Sequence, residues 1–242
     1  MTARRLPGKP LLDICGKPMI IRVWERLRRM KGIDRCLIAT PDAEIADAAR
    51  KFGAPCVMTS GRCRSGTDRV AEAASAIDCD VVVNVQGDEP MIDPGNVRKA
   101  VSTLLSSPGN VMSTLMCPIA TKEEMADPNA VKVVTDMNGR ALYFTRSPVP
   151  ASVSGPLSFP TGRKDPFGRH VGIYVYRKSF LIEFAGLSKT PLETAESLEQ
   201  LRALEHGYTL NVGFVKNAVR GVDTADDLKN ARAIFSRAQG KK

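Results

Sequence analysis

The sequence predicts an α/β protein with a doubly wound, mostly parallel sheet and a smaller mixed-sheet region. Helical and strand patterns alternate along the first half of the 242 residues, as in consecutive βαβ units. The segment 80–85 carries three consecutive valines, which is typical of a strand buried on both faces of a parallel sheet. Shorter strand patterns in the second half favour a mixed sheet there.

The elements follow from local signals taken in order. Proline in the first turn supports the helix that begins at Pro94, and Thr224 with Asp227 three residues later resembles a capping box. The segment 147–169, rich in Pro, Ser and Gly, is predicted to be a mobile loop. The predicted helices cover 19–30, 42–52, 67–77, 94–105 and 194–206, and the predicted strands cover 36–39, 55–58, 80–85, 111–116, 131–135, 141–145 and 172–176.

The composition excludes several classes of protein. With 43% hydrophobic residues and no long apolar run, the chain is expected to be soluble and cytoplasmic, with no membrane insertion. Its six cysteines form no C-x-x-C pair and have no neighbouring histidine, so we expect reduced structural thiols rather than a zinc site.

The net charge of +9 is concentrated near the start of the chain. Residues 1–31 carry nine Lys and Arg against two acidic residues. Such an excess suits a basic nucleic-acid-binding protein or a site for a small polyanion, and part of it also fits a solvated helix face. The sequence shows no basic stripe interleaved with aromatic residues, which favours the small polyanion.

The glycine turn at 6–10 is a candidate phosphate loop, because Gly8 lies between Arg4, Arg5 and Lys9. It lacks the spacing of a Walker A loop, and an exposed basic turn is the alternative. In a doubly wound fold such a loop follows the first strand. We therefore expect that this strand, about ten residues, is missing from the chain as it begins here.

Two carboxylates occupy positions suited to a metal ion. Asp88 follows the valine strand, after Gln86 and Gly87, where ligands gather in open α/β sheets. Asp223 lies just before the last helix. Two carboxylates from separate loops are what an Mg²⁺ ion bridging nucleotide phosphates requires. The alternatives are an ordinary polar turn at Asp88 and a helix cap at Asp223.

Other polar residues fall into two groups with two interpretations each. Ser65 and Gly66 at a helix start could bind a base or ribose, or cap the helix. His170, entering a strand, could be structural, or could join Arg146, Glu199 and Gln200 around a polyhydroxylated acid.

Taken in order, the segments resemble the 3-deoxy-manno-octulosonate (Kdo) cytidylyltransferases, or CMP-Kdo synthetases, over nearly the whole chain. The matching segments are Arg-Leu-Pro-Gly-Lys-Pro at 5–10, Gly-Lys-Pro-Met-Ile at 16–20, Ser-Gly-Thr-Asp-Arg at 65–69, Asn-Val-Gln-Gly-Asp-Glu-Pro at 84–90, Pro-Asn-Ala-Val-Lys-Val-Val at 128–134, Ala-Leu-Tyr-Phe-Thr-Arg at 141–146, Arg-His-Val-Gly-Ile-Tyr at 169–174, Leu-Glu-Gln-Leu-Arg at 198–202 and Val-Asp-Thr at 222–224.

The resemblance implies a Rossmann-like nucleotidyltransferase fold and the reaction CTP + Kdo giving CMP-Kdo and diphosphate, with Mg²⁺, in a homodimer that serves lipopolysaccharide biosynthesis. It implies one domain over 1–242, with a nucleotide-binding core at about 1–118 and 207–242 and a sugar-binding and dimerisation region at about 119–206. An 8-amino variant of Kdo or another sugar acid is the alternative substrate.

The resemblance also assigns roles to residues. Arg5 and Lys9 would hold the CTP phosphates, Asp88 and Asp223 would bind Mg²⁺, and these four would be the catalytic residues. The cytidine side would be lined by Thr40, Ser65, Gly66 and Gln86, and the sugar acid would be bound by Arg146, His170, Glu199 and Gln200. Two departures are present: the family's initial strand ending Ile-Pro-Ala-Arg is lacking, and Pro41 stands where the family often has Asp.

Overall fold

The computed structural model describes residues 6–151, 166–219 and 221–239. Two compact units divide the chain, and each is described by itself. Unit 1 comprises residues 1–78, 85–94 and 219–242, and unit 2 comprises 79–84 and 95–218. These limits differ from the predicted division at about residues 118 and 207, which stays a prediction.

Unit 1 consists of helices around a two-stranded parallel sheet in which β1 pairs with β2. One apolar cluster packs Trp24 of α1 against Ile38 of β1 and Ile45 of α2, and a second packs Met19 against Val222 and Leu228. Its elements are a 3₁₀ turn Lys9–Leu11, α1 Met19–Leu27, β1 Ile38–Thr40, α2 Ala43–Lys51, β2 Cys56–Met58, α3 Gly66–Ser75 and α9 Ala225–Gln239.

Unit 2 is built on a six-stranded mixed sheet with the order β6-β5-β7-β4-β8, and β3 also pairs with β7. The long strand β7 pairs with β4, with β5 near its start and with β3 near its end. Its elements are β3 Val81–Asn84, α4 Pro94–Leu105, β4 Met112–Cys117, α5 Lys122–Ala126, β5 Lys132–Thr135, β6 Ala141–Thr145, β7 Phe167–Arg177, α6 Lys178–Gly186, α7 Pro191–Glu196, α8 Leu201–Glu205 and β8 Leu210–Phe214.

The α/β fold class is confirmed, and the strand directions sharpen it. Among the described residues, β1–β2 and β4–β8 are parallel pairs and four other pairs are antiparallel. The prediction that the valine strand is of the parallel kind is wrong, since β3 runs antiparallel to β7. The three valines of β3 are also only half-buried, so the prediction of a strand buried on both faces is wrong as well. A run of apolar residues indicates a strand but does not determine its direction.

The predicted helix over 194–206 is wrong, because the segment forms two helices. Helix α7 begins earlier, at Pro191, where Thr190 and Glu193 form a capping box. It ends at Ser197, which adopts a left-handed conformation with φ 53°. Since the left-handed conformation breaks the helical path, Leu198 turns into the core and α8 starts afresh at Leu201.

Three elements of unit 2 carried no sequence prediction: α5, α6 and β8. The predicted strand over 172–176 is part of the longer β7, whose first residues belong to the segment predicted as a loop. Most of that segment, 152–165, lies outside the described residues. All six cysteines are free thiols.

Candidate active site

The glycine turn places a lysine between two carboxylates in unit 1. Gly8 has φ 64°, a conformation that favours glycine, and the chain then enters the 3₁₀ turn at Lys9. Lys9 Nζ donates to Asp88 Oδ2 at 2.6 Å and to Asp223 Oδ1 at 2.9 Å. Residues far apart in the sequence therefore meet around one ammonium group.

Backbone hydrogen bonds hold the two carboxylates in place. The Val222 N–H donates to the Asp88 carbonyl at 2.8 Å, which ties the loop before α9 to the loop after β3. A Cβ on Gly221 would lie 3.2 Å from that carbonyl oxygen, so a larger residue would press on the contact. The strand-end loop and the helix-start loop are thus fixed to each other through their main chains.

Asp223 does not cap helix α9. The cap is made by Thr224, whose Oγ1 accepts from the Asp227 N–H at 3.1 Å, and by the Asp227 carboxylate, which accepts from the Asp223 and Thr224 N–H groups. The Asp223 side chain itself is 69% exposed and bonds Lys9. Of the two interpretations of Asp223, the helix cap is therefore excluded.

The two carboxylates change the pKa of Lys9. Burial alone lowers the pKa of the ammonium, but hydrogen bonds and charge from Asp88 and Asp223 outweigh it, and the net pKa is raised. Lys9 is therefore a permanent cation, and it occupies a place where two carboxylates select positive charge.

Gln86 and Gly66, predicted on the cytidine side, lie side by side in unit 1. A Cβ on Gly66 would come within 3.3 Å of Gln86 Oε1, so the glycine leaves room for the amide. Ser65 caps α3 by accepting from the Asp68 N–H, and Thr40, 2% exposed, accepts from the Asp42 N–H. Their predicted contacts with the cytidine remain predictions. Arg5 lies outside the described residues.

Arg146, in unit 2, is held rigidly just after β6. Its Nε donates to the Glu196 carbonyl at 2.8 Å and its Nη1 to the Pro128 carbonyl at 2.8 Å, with a longer bond from Nη2 to the Ser197 carbonyl. A guanidinium has five N–H groups, so these bonds leave one on each terminal nitrogen. These two N–H groups are available to a ligand that accepts hydrogen bonds, such as a carboxylate.

His170 lies on β7 among aromatic rings. Phe144 packs edge-on against it at 5.1 Å between ring centroids, and Tyr174 lies at 5.4 Å. Burial lowers the pKa of His170 to about 3, with a further contribution from the Arg169 charge. The imidazole is therefore neutral throughout the physiological range.

Glu199 and Gln200 form the turn between α7 and α8. Gln200 is 3% exposed, and its Nε2 has no hydrogen-bond partner within the described ranges. A buried ion pair fixes the turn from both sides, because Arg202 of α8 binds Glu193 of α7 through two bonds of 2.8 and 2.6 Å. Glu199 lies 3.6 Å from Arg202.

Tyr174 connects this turn to the histidine. Burial raises the pKa of its phenol well above the usual range, and the charge of Glu199 adds to the effect. Because Tyr174 also lies beside His170, unit 2 brings the histidine and the α7–α8 turn into one neighbourhood. The sequence prediction did not include Tyr174. Alternate residues of a strand lie on the same face, so its position four residues after His170 could have placed it beside the histidine.

The low pKa of His170 predicts acid sensitivity of the fold. The unfolded histidine binds a proton near pH 6.5 and the folded one only near pH 3, so the unfolded state holds more protons between these values. The free energy of unfolding is therefore expected to fall as the pH falls through this window, by at most about 1.4 kcal/mol per pH unit. Urea unfolding of the wild type and His170→Gln at pH 7, 6 and 5 measures the difference. Parallel pH profiles for the two proteins would contradict it.

Comparisons with known proteins show the family to which the chain is similar. The family model described as cytidylyltransferase matches residues 1–212. The 3-deoxy-manno-octulosonate cytidylyltransferase of Syntrophotalea carbinolica is 48% identical over 95% of this chain and 92% of its own. A solved CMP:2-keto-3-deoxy-manno-octonic acid synthetase complexed with CTP has a TM-score of 0.88 at 39% identity, covering 97% of this chain and 94% of that one.

A more distant structure shows how widely the fold is shared. A cytidylyltransferase from Leptospira borgpetersenii has a TM-score of 0.60 at 17% identity, covering 97% of this chain and 82% of that one. The fold and the sequence similarity are those of a nucleotidyltransferase. The chain belongs to the 3-deoxy-manno-octulosonate cytidylyltransferase family.

Two further findings bear on the site and its surroundings. Cytidylyltransferases of this kind generally use a divalent metal ion. Among the helices that the structure describes, none is long and apolar enough to cross a membrane.

Proposed function

We propose that this protein transfers the cytidylyl group of CTP to 3-deoxy-manno-octulosonate, giving CMP-Kdo and diphosphate, with Mg²⁺, for lipopolysaccharide biosynthesis. The observation that carries the proposal is the Lys9 ammonium held between Asp88 and Asp223. Such a cluster suits the phosphates and the metal ion of a nucleoside triphosphate. Similarity to the Kdo enzymes over almost the whole chain supports the choice of sugar.

The donor set fits Mg²⁺. Two carboxylates converge on one point in unit 1, and the described residues contain no cluster of three or more His, Cys, Asp or Glu that could form a closed cage. Magnesium is commonly bound by one or two carboxylates, with substrate phosphates and water completing its octahedron. Asp88 and Asp223 would hold it, and when bound it neutralises phosphate charge.

The residues of unit 1 would bind and orient the triphosphate. Lys9 would supply a fixed positive charge to the phosphate oxygens, on which negative charge grows as diphosphate leaves. Its two carboxylate partners keep it in place before the substrate arrives. Arg5 is proposed to add a second cation, and Gln86, Gly66, Ser65 and Thr40 to line the cytidine side.

The residues of unit 2 would bind the sugar acid. Arg146 would offer its two remaining N–H groups to the carboxylate, and three carbonyl contacts hold its guanidinium in place. Glu199 and Gln200 would bond hydroxyl groups, with the buried Gln200 amide supplying donors. Neutral His170 suits a hydroxyl better than a carboxylate.

The chemical step would be an in-line displacement. The anomeric hydroxyl oxygen forms a bond to the α-phosphorus as the bond from that phosphorus to the bridging oxygen breaks, and the hydroxyl proton passes to solvent. The protein's part is positioning and stabilisation of charge, which suffices for large rate enhancements in phosphoryl transfer.

Diphosphate release from CTP tests the substrate. Kdo should support turnover with a kcat/KM at least about tenfold above that of the 8-amino variant or another sugar acid. ATP, GTP and UTP in place of CTP serve as controls. A higher kcat/KM for 8-amino-Kdo would reassign the sugar, and no release with any sugar acid would contradict the proposed function.

Two properties complete the proposal. We propose that the enzyme works in the cytoplasm, where CTP is made, and that it is a homodimer. Both rest on the family resemblance, and light scattering of the purified protein tests the second.

A further inference from the structure

Thr114 lies at an irregularity between β4 and β7. The register shifts between Ser113 and Leu115, where β7 contains two more residues than β4. Thr114 is fully buried there, and its Oγ1 fills the gap. The oxygen lies 2.8 Å from the Ile173 carbonyl oxygen, 3.1 Å from the Val171 carbonyl oxygen and 2.9 Å from His170 Nε2.

The three contacts fix the direction of the hydrogen bond to the histidine. A hydroxyl has one proton to donate, and two of its three neighbours are carbonyl oxygens that only accept. If His170 Nε2 also carried a lone pair, three acceptors would face one proton in a buried place. With a proton on Nε2, the hydroxyl accepts from the ring and directs its own proton to the carbonyl oxygens, so the contact with the histidine joins a donor to an acceptor.

The same assignment decides what His170 offers on its other side. A neutral imidazole with its proton on Nε2 has a bare lone pair on Nδ1. Among the described residues, none hydrogen-bonds Nδ1. A Cβ built on Gly172, two residues along β7, would meet nothing within 4 Å, so the place beside Gly172 is open.

We propose that Thr114 is a positioning residue that holds His170 in the Nε2–H form, so that Nδ1 accepts a hydrogen bond from a hydroxyl group of the sugar acid. This rests on the proposed function, since it concerns the same sugar site. A hydrogen-bond acceptor at Nδ1 binds a hydroxyl, which has a proton to donate, and does not bind a carboxylate, which has none. The histidine is thus assigned to the sugar's hydroxyls, and the carboxylate is left to Arg146.

Nitrogen NMR of the free protein tests the tautomer without any substrate. The chain has two histidines, His170 and His206, so labelled histidine gives two ring systems, and His206→Gln assigns them. We expect the proton of His170 on Nε2 in the wild type and in Thr114→Ser, which keeps the hydroxyl. In Thr114→Val, of nearly the same shape, both tautomers should appear. A wild-type proton on Nδ1, or a pure Nε2–H form in the valine variant, would overturn the proposal.

Deoxy analogues of the sugar acid, each lacking one hydroxyl, test the consequence. One analogue should show a KM about tenfold above that of the parent sugar in the wild type and in Thr114→Ser, and little penalty in Thr114→Val. The KM for CTP should stay unchanged in both variants. A general loss of structure would instead raise the KM for CTP as well. Equal penalties in all three proteins would refute the role of Thr114. Absence of turnover with any sugar acid would refute the proposed function and leave the NMR result standing.

Discussion

Replacing Asp88 by Asn is expected to lower kcat by at least about 100-fold, the scale seen when one charge-stabilising group is removed from an active site. The substitution keeps the shape of the side chain and removes the negative charge from one of the two carboxylates proposed to bind the metal. Steady-state diphosphate release with CTP and the sugar acid measures the effect. Saturating Mg²⁺ should restore only part of the rate, because an amide oxygen is a weaker ligand than a carboxylate.

The fold should survive this change. Asp88 contributes its main-chain carbonyl to the bond with Val222, and asparagine keeps that bond, while Lys9 keeps Asp223 as a partner. Asp47→Asn is the matched control, since it removes one carboxylate paired with a cation, Arg50, on the exposed face of α2. Near-normal turnover by the Asp88 variant would contradict the metal assignment. An equal loss in the Asp47 variant would show that charge alone, and not position, is responsible.

Much of this site could be predicted because its residues sit at element ends. Asp88 follows a strand and Asp223 precedes a helix. In open α/β sheets ligands bind at such ends of strands and helices. The structure brings Asp88 and Asp223 together at Lys9 even though the direction predicted for β3 was wrong, because that direction depends on pairing with β7, more than eighty residues later. Local sequence carries strand propensity but little information about a distant partner.

The parts that could not be predicted depend on tertiary contacts. The break between α7 and α8 places Ser197 in a left-handed conformation, which is uncommon for serine, and buries Leu198 and the Arg202–Glu193 ion pair next to it. In the sequence Thr114 is one residue of a predicted strand. Its contact with His170 arises at the shift in register between β4 and β7, which the sequence does not indicate.

The role of Lys9 predicts a loss of similar size with an additional signature. Lys9→Met is expected to lower kcat about 100-fold or more, because a fixed positive charge beside the phosphates is lost and the apolar stem is kept. It also leaves the Asp88 and Asp223 carboxylates facing each other without the ammonium between them. The variant should therefore unfold at a lower temperature than the wild type in the absence of divalent ions.

Added Mg²⁺ should then distinguish the two proteins. In the wild type the ion competes with Lys9 for the carboxylates, whereas in Lys9→Met it does not, so the same Mg²⁺ concentration should raise the Tm of the variant by more. Lys17→Met is the matched control, because Lys17 also pairs with a carboxylate, Glu25, in the same unit. Its Tm should respond to Mg²⁺ as the wild type does. If the Tm of Lys9→Met were no more sensitive to Mg²⁺ than that of Lys17→Met, Asp88 and Asp223 would not form the cation site.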